Sequence, residues 1–199
     1  SDLLTNKVDR CVGGRVAMQQ TSGELQLPLN NYGISALDFD GLHGIATSMG
    51  HAPLPALIDA AKGSRLALLE SLCNIIWAPL ENSLGSVSLS ANWMWPCNNP
   101  GEDARIYKAV KALSDYAIGL GINIPTGKDS LSMKQKYPDK EVLAPGTVVI
   151  SATAHCEDFT KAVTTGFKIG KGDIAKIIFL EKYITNKNYY ITNIDVEVI

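Results

Sequence analysis

The sequence predicts an α/β (α+β) domain, and three observations carry that reading. Residues 13–50 break into short strand-like runs; two later segments, about 60–78 and 102–120, repeat apolar residues at helical spacing; and GTVVISATAHC (146–156) is apolar enough for the middle of a sheet. The 199 residues, 46% hydrophobic and 19% charged, suffice for one packed domain, or for one domain and the beginning of another.

Taken in order, GRVAMQQ, LQLPL, YGISALDF and HGIATSMG are strand candidates, the last two on either side of the turn Asp40-Gly41, which implies a meander or hairpin array. Asp59 is placed to cap a helix over about 60–78, in which Leu66, Leu69, Leu72, Cys73, Ile76 and Trp77 recur at helical spacing. LGSVSLSANW (84–93) alternates as a strand, and PCNNPGED (96–103) marks a loop and a helix entry. The next helix carries Ile106, Ala109, Val110, Leu113, Ala117 and Leu120 on one stripe and stops at Gly121, a residue suited to a left-handed C-terminal position. INIPTGKDSLSM reads as strand, loop and restart. Beyond about Gly166 the composition shifts to Lys, Asn, Tyr and Ile without a helical pattern, so the expected division is a main domain over 1–166 and a stub or divergent start of another over 167–199.

Composition also excludes function classes. Eighteen Lys and Arg against 20 Asp and Glu, with no basic run, leave no electrostatic footprint for nucleic acid. No apolar run approaches the roughly 18 residues of a membrane span, and the first residues lack the apolar segment of a signal peptide, so no membrane and a cytoplasmic location are expected. Cys11, Cys73, Cys97 and Cys156 are isolated and read as reduced thiols. His43, His51 and His155 lie in no metalloprotease or nucleophile pattern and read as structural; Trp77, Trp93 and Trp95 read as core or interface aromatics.

Three groups of residues can carry chemistry. Glu70 and Asn74 stand one helical turn apart, so both can offer oxygen to one hard cation such as Mg²⁺, with Ala67 and Ser71 beside them small enough to leave room for a ligand. The same spacing also suits a solvated helix face. Asn30 and Asn31 can be turn formers or can present carbonyl oxygens to a metal or nucleotide. In PTGKDSLSM (125–133), Gly127, Lys128, Asp129, Ser130 and Ser132 combine a glycine turn, a cation and hydroxyls. It is not a Walker A loop, because five residues separate Gly121 from Gly127 and Asp129 follows Lys128; a glycine turn with exposed donors can still hold a phosphate.

The order of the segments is more specific than any one of them. TNKVDRCVGGRVAMQQ, GELQLPLNN, GIATSMGHAP, GSRLALLESLCNIIWAPL, SLSANWMWPCNNPGEDARIYKAV, INIPTGKDSLSMKQKYP and APGTVVISATAHCEDF together closely resemble the phosphoribosylformylglycinamidine synthase family, from about Leu4 to Phe159. The match is to the N-terminal half of its second aminoimidazole-ribonucleotide-synthetase-like repeat. The resemblance implies an open, curved, mostly antiparallel sheet of about four to six strands with the helices on one face. It implies a part of an enzyme that converts formylglycinamide ribonucleotide, ATP and glutamine to formylglycinamidine ribonucleotide. In the corresponding repeat an auxiliary nucleotide is held with Mg²⁺, whose ligands fall on Asn31, Glu70 and Asn74, while Asn30 borders the nucleotide; Lys128, Asp129 and Ser130 join Asn30 as candidate contacts to ATP or ADP. A further acidic ligand belongs to the following domain. Many members carry Asp where Asn31 stands here, which predicts weaker Mg²⁺ binding. None of the four cysteines lies in a glutaminase nucleophile context. The expected partners are the remaining domains of the parent enzyme and, for the isolated piece, a second copy paired through an exposed apolar sheet face. Alone it is expected to be inactive, with weak or no ligand bound; the alternative is a purely structural or interaction module that binds no nucleotide.

Overall fold

The structure, a computed structural model, describes residues 15–21, 25–27 and 29–164. The tail at 167–199 and Cys11 therefore lie outside the described residues. In chain order the elements are β1 (Val16–Met18), β2 (Tyr32–Ala36), β3 (Gly44–His51), α1 (Pro53–Ile58), α2 (Ala60–Ile75), β4 (Ser88–Met94), α3 (Glu102–Leu120), β5 (Asn123–Ser130), β6 (Lys134–Lys136), β7 (Glu141–Leu143) and β8 (Thr147–Cys156). Six strands form one sheet in the order β1-β2-β3-β8-β4-β5, and β6 and β7 form a separate hairpin. All neighbours in the large sheet are antiparallel except β4 and β5.

The expected α/β architecture is present. Asp59 caps α2 by accepting from the Lys62 amide at 3.0 Å, and α3 ends at Gly121 with φ of +69°. β8 lies between β3 and β4, as its apolar run requires. Three expectations need correction, and one short helix, α1, was not expected. LQLPL is not a strand: Leu25 and Gln26 sit in a turn, Gln26 has φ of +49°, and Leu25, Leu27 and Leu29 are all exposed, so no sheet face claims them. The connection between β2 and β3 is a loop rather than a tight turn at Asp40-Gly41; the Asp38 carboxylate accepts from the amides of Asp40 and Gly41, which hold its pKa below the ordinary carboxylate value. PLPALI forms α1, too short to show a period, with proline in its first turn. The segment containing Gly127 to Ser130 is strand, not loop.

Alternation along the sheet separates two faces. On the helix side β3 presents Gly44, Ala46, Ser48 and Gly50, and β8 presents Val148, Ile150, Ala152, Ala154 and Cys156, all buried. The β3 stripe is built of small residues because α2 lies almost on the backbone there. A Cβ on Gly50 would strike the Ala67 carbonyl and the Ser71 amide, and the Ser48 hydroxyl donates to the Ser71 carbonyl at 2.7 Å. Ala67 and Ser71 are fully buried in this contact. Their small size is used by helix–sheet packing, which overturns the expectation that it leaves room for a ligand.

The opposite face carries Thr47, Met49, His51, Thr153 and His155 exposed, with Ile45, Ser88, Ser90, Asn92, Met94, Val149 and Ser151 half-buried among them. Ile45, Met49, Met94 and Val149 lie scattered among more numerous hydroxyl, amide and imidazole groups, so this is not the continuous apolar face invoked for self-pairing, and nothing here supports a homodimer through the sheet. Trp95 is buried as expected: its Nε1 donates to Glu102 at 2.9 Å, and Arg105 bonds both Glu102 and the Ala56 carbonyl, tying α1 to α3.

Tyr32 fastens β2 to the end of α2. Its buried hydroxyl is shared between the carbonyls of Val163 (2.5 Å) and Trp77 (3.0 Å). Burial raises its pKa, the neighbouring Cys156 adds to the rise, and the Val163 bond opposes it. Below the ordinary tyrosine pKa of about 10 both states keep the proton, and the group contributes no pH dependence. Above it the unfolded chain loses the proton while the native state retains it, so stability falls by up to about 1.4 kcal/mol per pH unit. Tyr32→Phe is expected to lower the urea midpoint at pH 7, yet to flatten the loss of stability between about pH 10 and 11; an unchanged alkaline slope would contradict the assignment.

Candidate functional site

α2 runs across β3 with Glu70 and Asn74 on one side of the contact. Asn74 Nδ2 donates to the Met49 carbonyl at 2.9 Å, and the His51 amide donates to Glu70 Oε2 at 2.6 Å. The reason lies in the register. The β2–β3 ladder ends at the rung Tyr32–Ser48, so beyond it β3 has no strand on that side. Met49 and His51, two residues apart, aim their backbone groups at the same edge. The i, i+4 pair on α2 takes the place of the missing strand.

This engagement uses only half of each side chain. No hydrogen bond is recorded to Glu70 Oε1 or to Asn74 Oδ1 among the described residues, and the Glu70 side chain is 47% exposed. His51 adds its ring, with Nδ1 3.7 Å from Glu70 Oε2. Cys73, half-buried on the same helix, is held protonated first by burial and then by the negative charge of Glu70.

Asn31 stands one residue before the Tyr32–Ser48 rung, which sets it beside Met49, and it is exposed. Asn30 is buried and fastens the segment: its amide donates to the Gln20 carbonyl at 2.9 Å and its Nδ2 to the Gln19 carbonyl at 3.0 Å. The structure thus gathers Asn31, Glu70 and Asn74 around the free edge of β3, with Asn30 anchoring their border. What sequence reasoning missed is the backbone of Met49 and His51, which fixes the pair from a strand 19 to 25 residues away.

Lys128, Asp129 and Ser130 are not brought to this group. They end the edge strand β5, with Lys128 Nζ 3.4 Å from Ser130 Oγ. The rungs His51–Val149, Asn92–Val149 and Asn92–Lys128 place Lys128 three strand spacings, roughly 14 Å, from His51. Gly127 serves close packing and not a turn, because a Cβ there would strike the Ala91 carbonyl on β4.

Among the described residues no three His, Cys, Asp or Glu side chains stand together. A cation at the β3 edge would therefore be held by one carboxylate and neutral amide oxygens. That donor set suits a hard cation that brings phosphate oxygens with it, and not zinc. Among the described residues no helix is long and apolar enough to cross a membrane.

The FGAR-AT PurM_N-like domain family matches residues 1–155. The chain is 44% identical over 169 residues to the Homo sapiens protein named phosphoribosylformylglycinamidine synthase, covering 85% of this chain and 13% of that one. It is 45% identical over 170 residues to an Arabidopsis thaliana protein named probable phosphoribosylformylglycinamidine synthase, chloroplastic/mitochondrial, covering 85% of this chain and 12% of that one. The chain thus spans about an eighth of the length of these relatives. Among solved structures, PurLQS from Thermotoga maritima superposes with a TM-score of 0.56 at 18% identity, over 76% of this chain and 23% of that chain. T. maritima PurL complexed with ATP gives 0.54 at 17% identity, over 77% and 23%. At such identity the likeness establishes the fold.

Proposed function

The chain belongs to the FGAR-AT PurM_N-like domain family, and from that premise we propose that it is one segment of a phosphoribosylformylglycinamidine synthase. In this reading the parent enzyme uses ATP and glutamine to turn formylglycinamide ribonucleotide into the amidine, and this segment holds an auxiliary ATP or ADP through Mg²⁺. Asn31, Glu70 and Asn74 are the cation ligands and Asn30 positions the border. The Mg²⁺ would neutralise phosphate charge. The chain's own part is to fix Glu70 and Asn74 against β3 so that their spare oxygens point at one place before the ligand arrives. The observation that carries the reading is that both are held by alternate backbone groups of one strand edge, beside Asn31. The group at Lys128 to Ser130 is kept apart, because a ligand held at the β3 edge reaches it only by crossing β8 and β4.

Calorimetry with Mg²⁺ and ADP on the chain tests the proposal. Saturable heat is expected, weak because Glu70 supplies the one negative charge among the proposed ligands. Asn31→Asp adds a second and should tighten binding about 10-fold. No heat from either protein would favour the competing reading, in which Glu70 and Asn74 only close the strand edge of a structural module.

A further inference from the structure

Four consecutive residues of β3 grip α2, each with a different group. The Ser48 hydroxyl donates to the Ser71 carbonyl at 2.7 Å, and the Met49 carbonyl accepts from Asn74. Gly50 lies where any Cβ would strike the Ala67 carbonyl and the Ser71 amide, and the His51 amide donates to Glu70. The order of these contacts fixes the direction of the helix. Two residues forward along β3, about 6.7 Å, correspond to four residues back along α2, about 6 Å. The two rises nearly match, so both members of the i, i+4 pair are held at once. A slide of α2 by one residue, about 1.5 Å, would cost them both. Gly50 sets how closely the helix approaches, but it has no side-chain group to stop a slide. Ser48 has one. Ser48 and Ser71 are both buried, so the bond between them is shielded from exchange with water. The Ser71 hydroxyl is spent within its own helix, on the Leu68 carbonyl at 2.8 Å.

Ser48 also stands where the remaining proposed ligand is attached. Its backbone is paired with Tyr32, and Asn31 is the residue before. One residue thus joins the segment that carries Asn31 to the helix that carries Glu70 and Asn74.

We infer that Ser48 is a positioning residue of the cation site. Its hydroxyl sets α2 against β3 while its backbone sets Asn31, so that the three ligands stand at fixed separations before a cation arrives. This rests on the reading of Asn31, Glu70 and Asn74 as the ligand set. Residues that orient metal ligands without touching the ion commonly govern affinity by about 10- to 100-fold.

The test is Ser48→Ala, which removes the hydroxyl, adds no atom to a tight contact and leaves the backbone pairing with Tyr32. In calorimetry on the 199-residue chain, its dissociation constant for Mg²⁺ with ADP should rise about 10-fold at a temperature where urea unfolding shows the variant fully folded. Ser48→Cys keeps a weaker donor at nearly the same size and should fall between the two. Ser64→Ala is the control: that hydroxyl is also buried and on α2, but it donates to the Ala60 carbonyl of its own helix, so affinity should not change. A Ser48→Ala protein that unfolds more readily but binds as tightly as the original has lost only a packing bond, and overturns the inference. Equal weakening in Ser64→Ala would overturn it too, because any loosening of α2 would then suffice. Glu70→Gln in the same titration separates the two claims. If it abolishes binding while Ser48→Ala leaves affinity unchanged, this inference alone fails. If the unmodified chain binds no Mg²⁺ with ADP, the ligand set fails and the inference falls with it.

Discussion

Gly50→Ala unfolds the domain or leaves it severely destabilised, although it adds one carbon atom. That carbon would stand inside contact distance of the Ala67 carbonyl and the Ser71 amide. Both are backbone atoms in the middle of α2, so no side chain can rotate away. α2 would have to lift off β3, which breaks the Ser48 bond to Ser71 and opens the packing of Leu68, Leu72 and Ile75, all buried. A loss of at least about 3 kcal/mol is expected, a large share of the 5–15 kcal/mol by which a domain of this kind is stable. Gly119→Ala supplies the contrast. Nothing stands within 4 Å of the added carbon there, and in the last turns of α3 the change favours helix by up to about 1 kcal/mol. Urea unfolding of both variants should therefore move in opposite directions; similar midpoints would show that α2 does not lie where the structure has it.

Loss of the carboxylate at position 70 is the second large effect. Glu70→Ala removes the one charged group among the proposed ligands and also strips the His51 amide of its acceptor. Affinity for Mg²⁺ with ADP should drop at least about 100-fold, with a loss of about 1 kcal/mol in stability from the unpaired strand edge. Glu70→Gln separates the two consequences. Its amide oxygen can still accept from His51, so stability should stay close to the original, while the lost charge weakens binding nearly as much as alanine does. If glutamine binds as well as glutamate, the carboxylate serves only to close the β3 edge.

These two residues show how far the sequence could be read. The period of α2 and α3, the cap at Asp59, the stop at Gly121 and the central place of β8 are local properties of side-chain order. They are legible for that reason. The pairing of Glu70 with Asn74 is legible in the same way, since one helical turn separates them. What lies between elements is not. That Ala67 and Ser71 face a strand and not a ligand depends on Gly50, seventeen residues before Ala67, and no helical period reports it. Gly127 and Lys128 have the composition of a turn, yet the backbone of Ala91 draws them into a parallel edge strand. LQLPL alternates like a strand but meets no sheet face that would bury its leucines.

The placement of the cation can be measured directly by adding Mn²⁺ with ADP to ¹⁵N-labelled protein and recording which amide signals the paramagnetic ion broadens. Broadening centred on Asn31, on Met49 to His51 and on Glu70 to Asn74, abolished in Glu70→Gln, is expected. Broadening confined to Lys128 to Ser130, or none at any Mn²⁺ concentration that ADP can hold in solution, would mean that the free edge of β3 is closed by α2 and binds nothing.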